Sequence, residues 1–208
     1  MVNYVNASSS RRGGVIDAYP NGTITGVCRE WAILDLLGLF QLTFKQLTTT
    51  QIQAAVNQYF SCGVTTAHDM VSEGTAATYT QLGADLPIDV NGYYLVLTPD
   101  LTAYQRVMAT YNTNNYKTRG AKFIADGSIQ GYTALLTQPY WVPQSMYSDD
   151  LTNYTYDTSR SCSTEDCGHL NYPVTLLRSQ MQIILAQNAD VLVHCNGDKA
   201  SDSMIEAV

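Results

Sequence analysis

Short runs rich in β-branched and aromatic residues alternate along this chain with longer amphipathic ones. That alternation limits the fold more than any other feature. The strand candidates are "CGVTTAHD" (62–69), "GYYLVLTPD" (92–100), "GAKFIAD" (120–126) and "ADVLVHC" (189–195). Between and around them lie helix candidates at 26–40, 48–62, 72–86, 101–112 and 173–188, and "DKASDSMIEAV" opens another with Asp198 as its N-cap. In the segment 48–62, Ile52, Ala55, Val56 and Tyr59 fall on one helical stripe behind a threonine cap. Four strands separated by helices predict parallel βα units lying side by side through right-handed crossovers. A closed barrel of such units needs about eight of them and ~250 residues. The chain has 208 residues and reads as a segment of a larger α/β fold or as a small doubly wound domain.

Charge narrows the function classes. A net charge of −7 and a sequence pI near 4.7 argue against a nucleic-acid surface or a binder of anionic membranes. No apolar run approaches the ~20 residues that cross a bilayer, since "WAILDLLGLF" (31–40) is short and carries Asp35. Charged residues are 14% of the chain, below the ~25% usual for globular domains. Together with the sequons at Asn6, Asn21 and Asn153, this slightly favours an extracellular or secretory setting over a cytoplasmic one. Of the five cysteines, Cys28, Cys62 and Cys195 read as buried thiols. Cys162 and Cys167, in "RSCSTEDCGH", suit a local disulfide, with a metal site including His169 as the alternative.

Parallel sheets bind ligands at the carboxyl ends of their strands. There the first strand candidate offers His68-Asp69, the third Lys122 and Asp126, and the fourth His194. Alternation puts Lys122, Ile124 and Asp126 on one face. Lys122 and Asp126 are about 13 Å apart by strand rise, too far to pair directly. After His194, Gly197 permits a positive φ at the strand-to-helix turn. A lysine inside a strand is salt-bridged, snorkels to a surface with its stem buried, or is chemically employed. Burial lowers its pKa from about 10.4 and yields a free amine able to add carbon dioxide. From residue 127 to about 170 the chain is long, polar and aromatic without sustained period. Its Tyr132, Tyr140 and Tyr147 read as exposed packing tyrosines or as the lining of an aromatic pocket.

Four blocks taken together, "PNGTITGVCRE" (20–30), "GVTTAHD" (63–69), "KFIADGSIQGYTALLTQPY" (122–140) and "VLVHCNGDKASD" (191–202), resemble the amidohydrolase superfamily. The closer likeness is to its YtcJ-like branch, which includes the N-substituted formamide deformylases. The resemblance implies a metal-dependent (β/α)8 barrel, of which residues 1–208 form a single partial domain of about four βα units, without its first and last strands. It implies that Lys122 is the fourth-strand lysine, carboxylated in many superfamily members, and that His194 is the fifth-strand histidine ligand. Asp126, in the branch's Asp-Gly signature, shapes the site together with Asp198, and His68 has a supporting or structural place. The cofactor implied is a divalent metal, zinc first among candidates, and the substrate a small non-peptide amide.

The departures are specific. No His-x-His pair occurs, since His68, His169 and His194 are the only histidines. The sixth-strand histidine and the eighth-strand aspartate would lie past Val208. Two ligands fall short of the three that a mononuclear site needs, so the chain itself is expected to bind metal weakly or not at all. Two functional expectations follow. One is an amidohydrolase, or a piece of one, cleaving a non-peptide C–N bond. The other is a non-catalytic homologue with a structural role, self-associating or completed by flanking chain to cover open sheet edges.

Overall fold

The structure is a computed structural model and describes residues 15–18, 21–30, 32–33, 46–140, 161–162 and 167–208. Two compact units make up the chain. One comprises Met1–Thr43, Ile124–Leu177 and His194–Val208; the other comprises Phe44–Phe123 and Arg178–Val193.

The first unit begins with a hairpin absent from the sequence expectation. Strands β1 (Val15–Ala18) and β2 (Ile24–Arg29) pair antiparallel, Ile16 opposite Cys28. The expected helix over 26–40 is therefore wrong at its start, because Gly26 sits at φ 93° inside β2, a conformation no helix contains. Of the remainder of that segment, residues 31 and 34–40 lie outside the described residues.

The second unit holds the alternating elements. Helix α1 (Thr49–Ser61) is fixed by a reciprocal capping box. The Gln51 amide N–H donates to Thr48 Oγ1, and the Thr48 N–H donates to Gln51 Oε1. The helix buries Ile52 and Val56, whereas Tyr59 is exposed. Strand β3 (Thr66–Val71) follows, then α2 (Glu73–Leu82), whose N-cap Ser72 accepts the Thr75 N–H, and a 3₁₀ turn at Gly83–Asp85. Strand β4 (Asp89–Leu95), α3 (Thr102–Thr110) and β5 (Tyr116–Ile124) come next. Helix α4 (Val174–Leu185) leads to β6 (Asp190–His194), and α5 (Asp198–Ala207), which belongs to the first unit, follows. The strands form one sheet in the order β3-β4-β5-β6. Register is parallel throughout the two described pairings, with Val71 opposite Tyr94 and Leu95 opposite Lys122.

Burial divides the sheet by strand parity. Val71, Val90 and Tyr116 face a core shared with Ile52 and Val56 of α1, Ala76 and Tyr79 of α2, and Val107 of α3. Tyr79 and Tyr116 stack with centroids 5.2 Å apart. Burying side chains of this size contributes roughly 1.5–3 kcal/mol each. A shift in register between Gly92 and Tyr93 lies beside the Tyr116 ring, which occupies the space that a Cβ at Gly92 would need. Tyr104, wholly buried, has a hydroxyl without a hydrogen-bond partner among the described residues.

The alternate positions carry polar groups. Arg119 Nε donates to Asn91 Oδ1 at 2.7 Å, and Asn91 Nδ2 lies 3.4 Å from His68 Nε2. His68 stacks on Tyr93 at 5.6 Å, and the Tyr93 hydroxyl reaches Asp190 Oδ2 at 3.4 Å. Burial and the Asp190 carboxylate push the Tyr93 hydroxyl above the usual phenol range, keeping it a donor.

Candidate functional site

Asp126 is the most constrained polar residue of the first unit. It lies two residues past the end of β5 and is 0% exposed. Its Oδ2 accepts the Leu135 N–H at 2.9 Å and the Gly197 N–H at 2.8 Å, while Oδ1 accepts the Asn196 N–H at 2.9 Å. A buried carboxylate demands such partners, and three backbone donors supply them without a counter-cation. The carboxylate thereby ties together the turn after β5, the loop at 135 and the turn after β6.

The neighbouring groups are locked in the same manner. Gly127 O accepts from Asn196 Nδ2 at 2.8 Å and lies 3.5 Å from His194 Nε2. Thr133 Oγ1 accepts the Ser128 N–H at 2.9 Å and donates to Glu30 Oε1 at 2.6 Å. A Cβ at Gly127 would collide with both Thr133 and Glu30. Glu30 itself has a positive φ of 52°, which turns the chain directly after β2. Glu30, Thr133 and Asn196 received no role in the sequence reading, although each lies within a quoted block; pairing across 103 residues leaves no local signal.

Asp198 and Gly197 differ from expectation in detail. The N-cap of α5 is Gly197, and Asp198 is the first helical residue. Gly197 has φ −82°, so no positive φ requires glycine there. The Leu135 backbone does, since it occupies the position of a Cβ. Asp198 accepts from both the Thr137 hydroxyl and the Thr137 N–H. These bonds, the hydroxyl's first, hold its carboxyl below the ordinary carboxylate range.

Lys122 is half-buried on β5 opposite Leu95, and among the described residues no hydrogen bond or ion pair engages its ammonium. His194 ends β6, its carbonyl accepting the Ala125 N–H at 2.9 Å. His68 lies within β3, not at its end, because the strand continues through Val71. Asp69, on the opposite parity, accepts the Tyr79 hydroxyl.

Cys162 and Cys167 form a disulfide with Cα atoms 5.5 Å apart, so neither thiol is left for a metal. His169 Nε2 and Asn171 Oδ1 are buried without partners among the described residues, the Asn171 amide donating to Ile124 O at 3.2 Å. Cys62 is exposed rather than buried, as the C-cap of α1 in front of Gly63 at φ 84°. Tyr140 is buried, its hydroxyl donating to Ala134 O and its ring edge-on to Tyr132. Asn21 is exposed in a turn where its Oδ1 accepts the Thr23 N–H. Asn6, Asn153 and Tyr147 lie outside the described residues. Among the described residues, no three His, Cys, Asp or Glu side chains come together as a metal would need.

These elements define an α/β protein built from consecutive strand–helix units on a parallel sheet. Two solved structures share that fold. One is an uncharacterized metal-dependent hydrolase from Pyrococcus horikoshii OT3, with a TM-score of 0.61 and 21% identity over 92% of this chain and 37% of that one. The other is an uncharacterized metal-dependent hydrolase from Pyrococcus furiosus, with a TM-score of 0.61 and 22% identity over 99% of this chain and 39% of that one. The chain thus spans less than two fifths of either protein's length. No protein-family model matches the sequence, and no curated protein matches it.

Proposed function

We propose that these 208 residues are an interior portion of a metal-dependent hydrolase with a (β/α)8 barrel. The observation that carries the reading is the strand order. Doubly wound sheets grow in two directions from a switch point, whereas β3-β4-β5-β6 run consecutively without reversal, as barrel strands do. The fold likeness to two proteins described as metal-dependent hydrolases supports the same reading. The sequence blocks favour the amidohydrolase superfamily and its YtcJ-like branch, and with it a non-peptide C–N bond such as that of an N-substituted formamide.

On this reading Lys122 and His194 are each metal donors, Lys122 as its carbamate. A bound divalent ion, zinc first, would lower the pKa of water and polarise the amide carbonyl. The described residues do not by themselves complete such a centre. No further histidine, cysteine or carboxylate joins either donor as a set of three, and Asp126 has both oxygens filled by backbone N–H groups. The reading therefore requires donors beyond those described.

The test is metal analysis of the whole gene product beside Lys122→Met and His194→Ala. About one or two ions per chain, lost in both variants together with formamide hydrolysis, would support the enzyme. Absence of metal from a folded gene product would leave the alternative, a non-catalytic, self-associating homologue. The exposed Asn21 and the Cys162–Cys167 disulfide favour an oxidising, secretory setting for either reading.

A further inference from the structure

A cavity of about 510 Å³ lies within the second unit, between α1 and β3. Its size falls in the range of small-molecule sites, roughly 300–1,000 Å³. The walls are mainly apolar, with Ile52, Ala55 and Val56 on one side and Val64, Ala67 and Val90 on another. Among the described residues, no lysine or arginine lines it and Asp69 is its one carboxylate.

The state of that carboxylate is informative. Oδ2 accepts the Tyr79 hydroxyl at 2.9 Å, and among the described residues no hydrogen bond or ion pair reaches Oδ1. Burial and the adjacent Asp69 charge push the Tyr79 hydroxyl up, so it remains a donor and does not repel the carboxylate. A half-buried carboxylate in an apolar wall is costly without a cationic partner. Tyr59, more than half exposed, lines the same cavity.

We propose that this cavity binds an organic amine as its ammonium ion, the charge pairing with Asp69 and the hydrocarbon body lying against Ile52, Ala55 and Val56. The site involves neither Lys122 nor His194 and needs no metal, so its failure and that of the hydrolase reading are separable.

The experiment uses the full chain at pH 8, where an alkylamine with a pKa of about 10 stays charged. Calorimetry compares 4-phenylbutylamine with 4-phenylbutanol, its neutral counterpart, and with 4-phenylbutyrate. The expected result is at least tenfold tighter binding of the amine than of either other probe. Asp69→Asn keeps an acceptor for Tyr79 and removes the charge, and should bring amine and alcohol within about twofold. Ala55→Trp should fill the cavity and abolish binding of all three, with far-ultraviolet circular dichroism verifying that each variant is folded. Equal binding of amine and alcohol by the parent, unchanged amine preference in folded Asp69→Asn, or binding of no probe would each overturn the proposal.

Discussion

The carboxylate of Asp126 receives the backbone N–H of Gly197 at 2.8 Å, a bond spanning 71 residues that holds the turn after β6 to the end of β5. Two further N–H groups, of Leu135 and Asn196, converge on the same side chain. Replacing Asp126 with alanine strands three backbone donors at once, that of Gly197 buried and the other two partly so. Hydrogen bonds to charged groups are worth about 1.5–3 kcal/mol each. The expected loss is at least 3 kcal/mol in urea unfolding, and Asp126→Asn should lose less. A change below 1 kcal/mol for the alanine variant would refute this account of the turn.

Gly197 is predicted to be intolerant for a different reason. With φ at −82°, alanine suits the backbone there, yet its Cβ would meet the Leu135 main chain. Backbone on both sides has little room to yield. Gly197→Ala should destabilise by about 1–3 kcal/mol, measured as a lowered denaturation midpoint with an unchanged slope.

Tyr104 supplies a prediction of the opposite sign. Its ring is fully buried and its hydroxyl has no hydrogen-bond partner among the described residues. Tyr104→Phe keeps the packing and removes the unpaired group, so stability should rise by about 1 kcal/mol or more. A lower melting temperature in the variant would show that the hydroxyl is satisfied.

Acid should weaken the second unit through Glu73. Its carboxylate takes two bonds from Arg106, to Nε at 2.7 Å and Nη2 at 2.6 Å. Those bonds depress its pKa below the ordinary range. A depressed folded-state pKa means that the stabilisation is present above the unfolded value and is lost as pH falls through the folded one. Because the pair is solvent-exposed, the effect is small and salt-sensitive. Glu73→Gln should flatten the stability profile below about pH 4.5, as followed by thermal unfolding across a pH series.

The alternation of elements was legible in the sequence because each strand and helix carries its own periodicity. The segments beginning at 48, 72, 101 and 173 became helices, with Thr48 and Ser72 serving as caps. Of the expected strands 92–100 and 120–126, positions 92–95 and 120–124 fell on strands, and β4 starts earlier, at Asp89, as β5 does at Tyr116. The first apolar run was misread because hydrophobicity does not show that Gly26 adopts a positive φ.

Local pattern alone determined the βα alternation, the caps of α1 and α2 and the division of buried from polar strand positions, since these depend on neighbours within one or two turns. Tertiary structure decided what Asp126 binds, why residue 197 must lack a side chain, and that Glu30 meets Thr133. It also decided that Asp69 would line a cavity with one oxygen unengaged among the described residues. Those outcomes depend on backbone groups tens of residues apart arriving at one point, and backbone donors are identical in every residue but proline. A sequence therefore names the carboxylate without naming its partners.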